Sequence, residues 1–546
     1  MQLPADGGRD RPGDLRGLGP GGDDRAGDVH LLRHEGLPHR PGEDRPDGAR
    51  RHPLGQRLPD AEEHRRGGGR PGALRGPGGL RQGRPDAAAG VRRRTPHPHP
   101  KRHHRGEVRK MRKVLEKALA LAKKRADQAE AIAYNGEVTP VEFKSGKLHA
   151  VEHKEVRGLG LRVIRKGRIG FSSTTDLARL GELVDHACQS AAFGQPARFQ
   201  FPAKCRPAAT KIFDRAVAGF SVDQAMAEGR QALERLRAAA PELKCDATIE
   251  KRTYSVELAN SRGLWSSYDK THFSYQLSGV GVVDGHLLFV GDGRRGCGLK
   301  LEAEAMAGKM ARLLKQAKRS ARTSGGRVPV IFSHEAMYLF WMALGMGVNG
   351  KMLQKRSSPL QGRLGERVLD PRLSVSDDPQ LRLAPGSAPH DAEGVCTARL
   401  PLFRNGVFRS FIFDLQTAGI MGTATTGHGQ RDFSVQPSPG ISNLVIAPGR
   451  RPLAEMVGSL DRGIIIHDLL GAGQSNLLAG DFSANIGLGF VIEKGRIAGR
   501  VKDAMVAGNV YQMLKGNVGE ISKETESRGH YHTPAILFND VSVAAK

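Results

Sequence analysis

Four dipeptides constrain this chain more than any other feature. Ser145-Gly146, Lys166-Gly167, Asn405-Gly406 and Lys494-Gly495 each separate two strand-like runs. Glycine takes positive φ without steric cost, and two-residue hairpin loops need positive φ. Asn405-Gly406, inside PLFRNGVFRSFIFD, is a type I′ signal, and GFVIEKGRIAGRV repeats the pattern around Lys494-Gly495. The pairs predict antiparallel strands at both ends of the folded region, including PVEFKSGKLHAVEHK and GLGLRVIRKGRIGFSST.

Helical spacing occurs between these strands. Val114, Leu115, Ala118, Leu119 and Ala122 share one face. DLARLGELVDHACQSA follows Thr174-Thr175, a capping pair, and VDQAMAEGRQALERLRAAA follows Ser221. Further helices are expected over LEAEAMAGKMARLLKQAKRSAR and KDAMVAGNVYQMLKGN, with ARTSGGR as a linker. The polar, Pro-rich stretch Ser357–Asp391 reads as an ordered surface excursion or flap. The fold class is therefore α+β: helices packed on an antiparallel sheet over residues 111–325, then a β-rich C-terminal domain over 326–546.

Residues 1–100 contain no Lys, Ile, Phe, Tyr, Trp, Asn, Ser or Cys. Such a segment cannot bury enough apolar surface to offset its ordering entropy, so residues 1–110 are expected to be a disordered low-complexity tail. The abrupt change at Met111 predicts a natural start at or near that residue. The net charge is +27, of which +18 lies after residue 110. These charges are interspersed with acids, and no helix-turn-helix or RNA-binding motif accompanies them. The five cysteines are far apart and lack a C-x-x-C, which argues against a zinc ribbon or a disulfide scaffold and suits a cytoplasmic setting. No apolar run is long enough to span a bilayer.

Three segments could carry chemistry. IFSHEAMYLFWMALG sets His334 beside Glu335, the start of a zinc-protease helix. Position i+4 is Tyr338, and neither Met337 nor Leu339 is a good zinc ligand. The competing reading makes Ser333 an N-cap and Glu335 a favourable charge in the first helical turn. The Gly-rich segment from Gly471 to Gly489 lacks the Lys-Ser/Thr of a phosphate loop and reads as tight turns. TAGIMGTATTGHGQR offers Thr423, Thr425, Thr426, His428 and Arg431, which could hold a peptide backbone or carboxylate.

Taken in order, GLGLRVIRKGRIGFSST, ANSRG, HDAEGVCTARLPLFRNGVFRSFIFD, TAGIMGTATTGHGQR, GQSNLLAGDFSANIGLGFVIEKG and MVAGNVYQML resemble the TldD/PmbA family over about Met111 to Ile521. The resemblance implies a two-branched family. TldD-like members carry HExxxH and a downstream Cys as zinc ligands, and PmbA/TldE-like members lack them. The two pair as a heterodimer that cleaves small or unfolded peptides. Here His334 and Glu335 match the first two positions, Leu339 stands where the second His would be, and Gln474-Ser475 stand in the segment of the missing Cys. Apparent free energies of structural zinc, about 10–16 kcal/mol, are shared among few bonds, so loss of two ligands is severe.

The resemblance thus implies a PmbA/TldE-like subunit without zinc of its own, paired with a zinc-bearing TldD-like subunit. Two alternatives stand beside it. One is an active metallopeptidase with His334 as ligand, Glu335 as general base, and further ligands from His390, His428 or His467. The other is a nucleic-acid-associated modulator acting through the basic surface.

Overall fold

The computed structural model describes residues 100–546 except 205, 284, 324 and 546, with side chains from Met111 onward. The expected tail lies, up to residue 99, outside the described residues. The first helix, Pro100–Lys123, begins ahead of Met111.

Seven strands form an antiparallel sheet: β1 (Gln128–Lys144), β2 (Lys147–Val151), β3 (Lys154–Arg165), β4 (Arg168–Thr174), β5 (Lys244–Asn260), β6 (Trp265–Val283) and β7 (His286–Gly296). Their order is β4-β3-β1-β5-β6-β7, with β2 on β1. The turn pairs take the expected conformation. Ser145 and Gly146 have φ of 48° and 78°, and Lys166 and Gly167 have 49° and 71°.

Met111, Leu115, Ala118 and Ala122 of the first helix pack with Leu183, Val184 and Ala187 of the helix Leu180–Ser190 against Ala129, Ala131, Leu159 and Leu161 of the sheet. That second helix starts later than expected, with Arg179 as its N-cap. Thr174 caps a local turn instead, accepting from Asp176 N at 3.0 Å. Ser221 does cap the helix Val222–Ala239, in a reciprocal box with Gln224. This helix and Ala303–Ala317 share a core with Ile249 and Tyr275 of the first sheet and Ile465, Phe490 and Leu537 of the second.

The second sheet has twelve strands. It is mixed: Gly326–Phe332 runs parallel to Arg462–Leu470 and antiparallel to Tyr531–Ala545. Asn405 and Gly406, with φ of 49° and 75°, close the hairpin between Leu400–Arg404 and Val407–Phe408. Two expectations are corrected. Ser357–Asp391 is no flap: Leu360, Val368, Leu369, Leu373 and Val375 enter the core, and Val375–Asp377 joins the sheet. KDAMVAGNVYQMLKGN is helical only in its second half. Ala504–Asn509 is a strand, because it pairs on both sides, and a short Val510–Gln512 helix follows, running into a π-helical turn over Met513–Asn517.

Gly158 and Gly160 explain the GLGLRV motif. A Cβ on Gly158 would sit 2.1 Å from the Phe433 ring, and one on Gly160 would sit 2.3 Å from the Phe433 carbonyl oxygen. Beside this contact Glu130 and Arg162 face each other across β1 and β3. Arg162 bonds Glu393 at 2.6 Å, and Arg431 bonds Glu130, all buried. Cys188, Cys245 and Cys297 are free and buried, whereas Cys396 is disulfide-bonded. Among the described residues no helix is long and apolar enough to cross a membrane.

Candidate functional site

His334 and Glu335 lie in a turn after the strand Gly326–Phe332, closed by Met337 N donating to Ser333 O at 3.0 Å. The helix starts only at Tyr338, with Met337 as N-cap. The N-cap expected at Ser333 is thereby corrected: the adjacent carboxylate captures its hydroxyl, which donates to Glu335 Oε2 at 2.6 Å.

Charge surrounds that carboxylate. Lys309 Nζ and Arg528 Nη2 both donate to Glu335 Oε1. Arg528 also bonds Glu526, and through Nη1 it bonds Asp292 at 2.6 Å. Lys309 lies 3.4 Å from Glu526, and Arg294 bonds Asp292 at 2.9 Å. His467 Nδ1 stands 3.8 Å from Glu335 Oε2. Burial works to raise the Glu335 pKa, but His467, Arg528 and Lys309 together outweigh it and hold the carboxyl well below the usual range. A general base is most useful with a pKa near the working pH. Glu335 is held far from that condition.

His334 is nearly buried. Its Nε2 lies 3.2 Å from the Glu524 carbonyl oxygen, so this nitrogen carries a proton and donates it. Its Nδ1 is 3.6 Å from Glu526 Oε1. Leu339 is fully buried in the apolar core. Ser475 Oγ accepts from Ser483 N at 3.1 Å. A zinc ion needs converging lone pairs. Here one imidazole nitrogen is protonated, the carboxylate already faces two cations, and the helical ligand position is hydrocarbon. These residues do not fit zinc. Among the described residues no three His, Cys, Asp or Glu side chains group to hold a metal ion. A cavity of about 340 Å³ adjoins the cluster, lined by Phe289, Asp292, Glu335, His467 and Arg528.

Except for His467, the other candidates lie apart from this cluster's contacts. Thr425 and Thr426 hydroxyls donate to Phe413 O at 3.1 and 3.2 Å, stitching their own loop. Thr423 is exposed. His428 contacts Thr426 O and buried Asp377, and Arg431 belongs to the Glu130–Arg162 network. His390 Nδ1 donates to Asp391 O at 2.7 Å. Of the three further histidines considered as ligands, His467 is the one in contact with Glu335.

Sequence reasoning missed Asp292, Lys309, Glu526 and Arg528. They come from three separate elements, so spacing along the chain gave no sign of their convergence. The one local signal is the alternation of Glu526 and Arg528 at the end of the strand Val518–Arg528, which puts two opposite charges on one face.

Comparison with known proteins agrees with this architecture. Residues 325–545 match the PmbA/TldA metallopeptidase C-terminal domain, and residues 129–191 match PmbA/TldA metallopeptidase domain 1. The Metalloprotease PmbA of Escherichia coli O157:H7 is 26% identical over 463 residues, covering 81% of this chain and 98% of that protein. A Metalloprotease of Methanothermobacter thermautotrophicus is 27% identical over 406 residues, 72% of this chain and 87% of its own. The crystal structure of TldE from Thermococcus kodakarensis superposes with a TM-score of 0.74 at 25% identity, covering 79% of this chain and all of that one. With both domains matched in order, and the GLGLRV strand and the His334-Glu335 turn set in this shared fold, the chain belongs to the TldD/PmbA family of metalloproteases.

Proposed function

We propose that this chain is the PmbA/TldE-like, non-metal-binding subunit of a heterodimeric zinc metallopeptidase that cleaves small or unfolded peptides in the cytoplasm. One observation carries the reading. The Glu335 carboxylate, which would serve a metal-bound water in a TldD-like chain, is here saturated by Lys309 and Arg528. Two fixed cations occupy the electrostatic role of a dication, and they are covalently part of the protein. A TldD-like partner would supply the metal and the water activation. This chain would shape the enclosure and hold extended peptide through strand edges and the loop around Thr423.

The test is purification from the native host, followed by zinc analysis and a peptidase assay of the complex and of the isolated chain. Zinc and activity are expected only with a co-purified TldD-like subunit. Stoichiometric zinc in the isolated chain, lost on His334→Ala, would overturn the reading in favour of an active metallopeptidase.

A further inference from the structure

The strand register of the first sheet builds a second site. Tyr134, Val256 and Tyr268 stand opposite one another across β1, β5 and β6, and Gly136, Tyr254 and Lys270 form the next row on the same face. The loops around Pro385–Ala392 and Gly427–Arg431 cover this face and leave a cavity of about 260 Å³. The Tyr134 and Tyr254 rings stack with centroids 6.3 Å apart, and Tyr268 meets the His390 ring edge-on at 5.2 Å. Typical sites for drug-sized ligands measure about 300–1,000 Å³, so the occupant is on the scale of one residue.

Lys270 lies in this wall and is 7% exposed. Its ammonium donates to Pro385 O at 2.7 Å and Ser387 O at 2.8 Å. An ammonium has a third donor, and among the described residues no carboxylate pairs with this one. Burial depresses its pKa, outweighing the opposing effect of the Cys297 thiol. Arg162 and Arg431, equally buried, are each matched by a carboxylate. Burying an unmatched charge is costly, and an anion at that point recovers the cost.

Two further groups line the same cavity or its wall without a partner among the described residues: Arg431 Nη1, a donor, and His390 Nε2. Because His390 Nδ1 donates to a carbonyl, Nε2 presents a lone pair. Asp391 also lines the cavity, but its carboxyl oxygens accept from the backbone N–H groups of Glu393, Val395 and Gly429. The cationic donors, one imidazole acceptor and aromatic walls match a carboxylate next to an N–H and an apolar side chain.

We propose that this cavity binds the carboxylate of an N-acylated apolar amino acid, the chemistry found at the C-terminal end of a peptide, with Lys270 as its charge partner. The site shares no lining residue with the cavity beside the His334-Glu335 cluster.

Calorimetric titration of the full chain tests it. N-acetyl-phenylalanine is expected to bind at least about tenfold tighter than N-acetyl-phenylalaninamide, the worth of one charge-assisted hydrogen bond. Lys270→Met should abolish that difference, and Tyr254→Ala should weaken the acid. If Lys270→Met fails to fold, the acid–amide comparison and Tyr254→Ala still decide. Equal binding of acid and amide, or no binding of the acid at millimolar concentration, overturns the proposal. A tripeptide ending in phenylalanine that binds tighter than N-acetyl-phenylalanine would identify peptide termini as the source. Equal binding would identify single acylated amino acids.

Discussion

Arg528 bridges Glu335 and Asp292: one guanidinium nitrogen serves the turn of the second sheet, and the other serves β7 of the first, at 2.6 Å. Removing it leaves Asp292, Glu335 and Glu526 short of a cation. Breaking a fully buried pair costs about 3–5 kcal/mol, and partial exposure reduces this to about 2 kcal/mol here. Arg528→Ala should therefore lower the thermal midpoint by several degrees, and adding Glu335→Gln should recover part of the loss. An unchanged midpoint in Arg528→Ala would show that the cluster contributes nothing to stability.

The depressed pKa of Glu335 has a definite sign. The folded state holds this carboxylate ionised below the ordinary value of 4.5, where the unfolded chain takes up a proton. Its contribution is present above pH 4.5 and is lost as pH falls through the folded pKa. Melts below pH 4.5 should show a shallower pH dependence in Glu335→Gln than in the unaltered protein. Parallel curves would contradict the ion-pair assignment.

Glu257 has the opposite sign. It is 2% exposed on β5, and neither carboxyl oxygen has a hydrogen-bond partner among the described residues. Burial raises its pKa from 4.5 to about 7, with Arg112 opposing and Asp269 adding. The folded state then keeps a proton that the unfolded chain releases, so stability falls as pH rises from 4.5 to about 7. Glu257→Gln should stabilise at pH 8, by on the order of 2–3 kcal/mol, and be neutral at pH 4. Denaturation at the two pH values checks it, and a pH-independent effect would refute it.

Leu339→His restores the HExxxH spacing but should not restore metal. Lys309 and Arg528 would remain on Glu335, and the new imidazole would displace a fully buried core side chain. Elemental analysis should find no zinc, and the melt should show a loss of about 2–4 kcal/mol. Zinc uptake by this single variant would show that the cations yield easily.

Gly158→Ala tests how the C-terminal loop is fastened to β3. The added methyl would meet the Phe433 ring at 2.1 Å, and a cost of about 1–3 kcal/mol is expected. With Phe433→Ala the same methyl should cost much less, a coupling that a double-mutant cycle reads directly. Additive effects would place Phe433 elsewhere in solution.

Much of this protein was legible in its local chemistry. The four turn dipeptides, the capped helix after Ser221 and the alternating strands are properties of a few neighbouring residues, and backbone sterics enforce them wherever they occur. The ordered motifs sufficed for the family. Long-range packing was not legible. Nothing in Ser357–Asp391 announces that its apolar residues enter the core, and Ala504–Asn509 is a strand because two others flank it. The Glu335 cluster is the clearest case. Lys309, Asp292 and Arg528 lie far apart in the chain, and charge acts through space. Only the folded arrangement could bring two cations onto one carboxylate, or leave Lys270 buried without one.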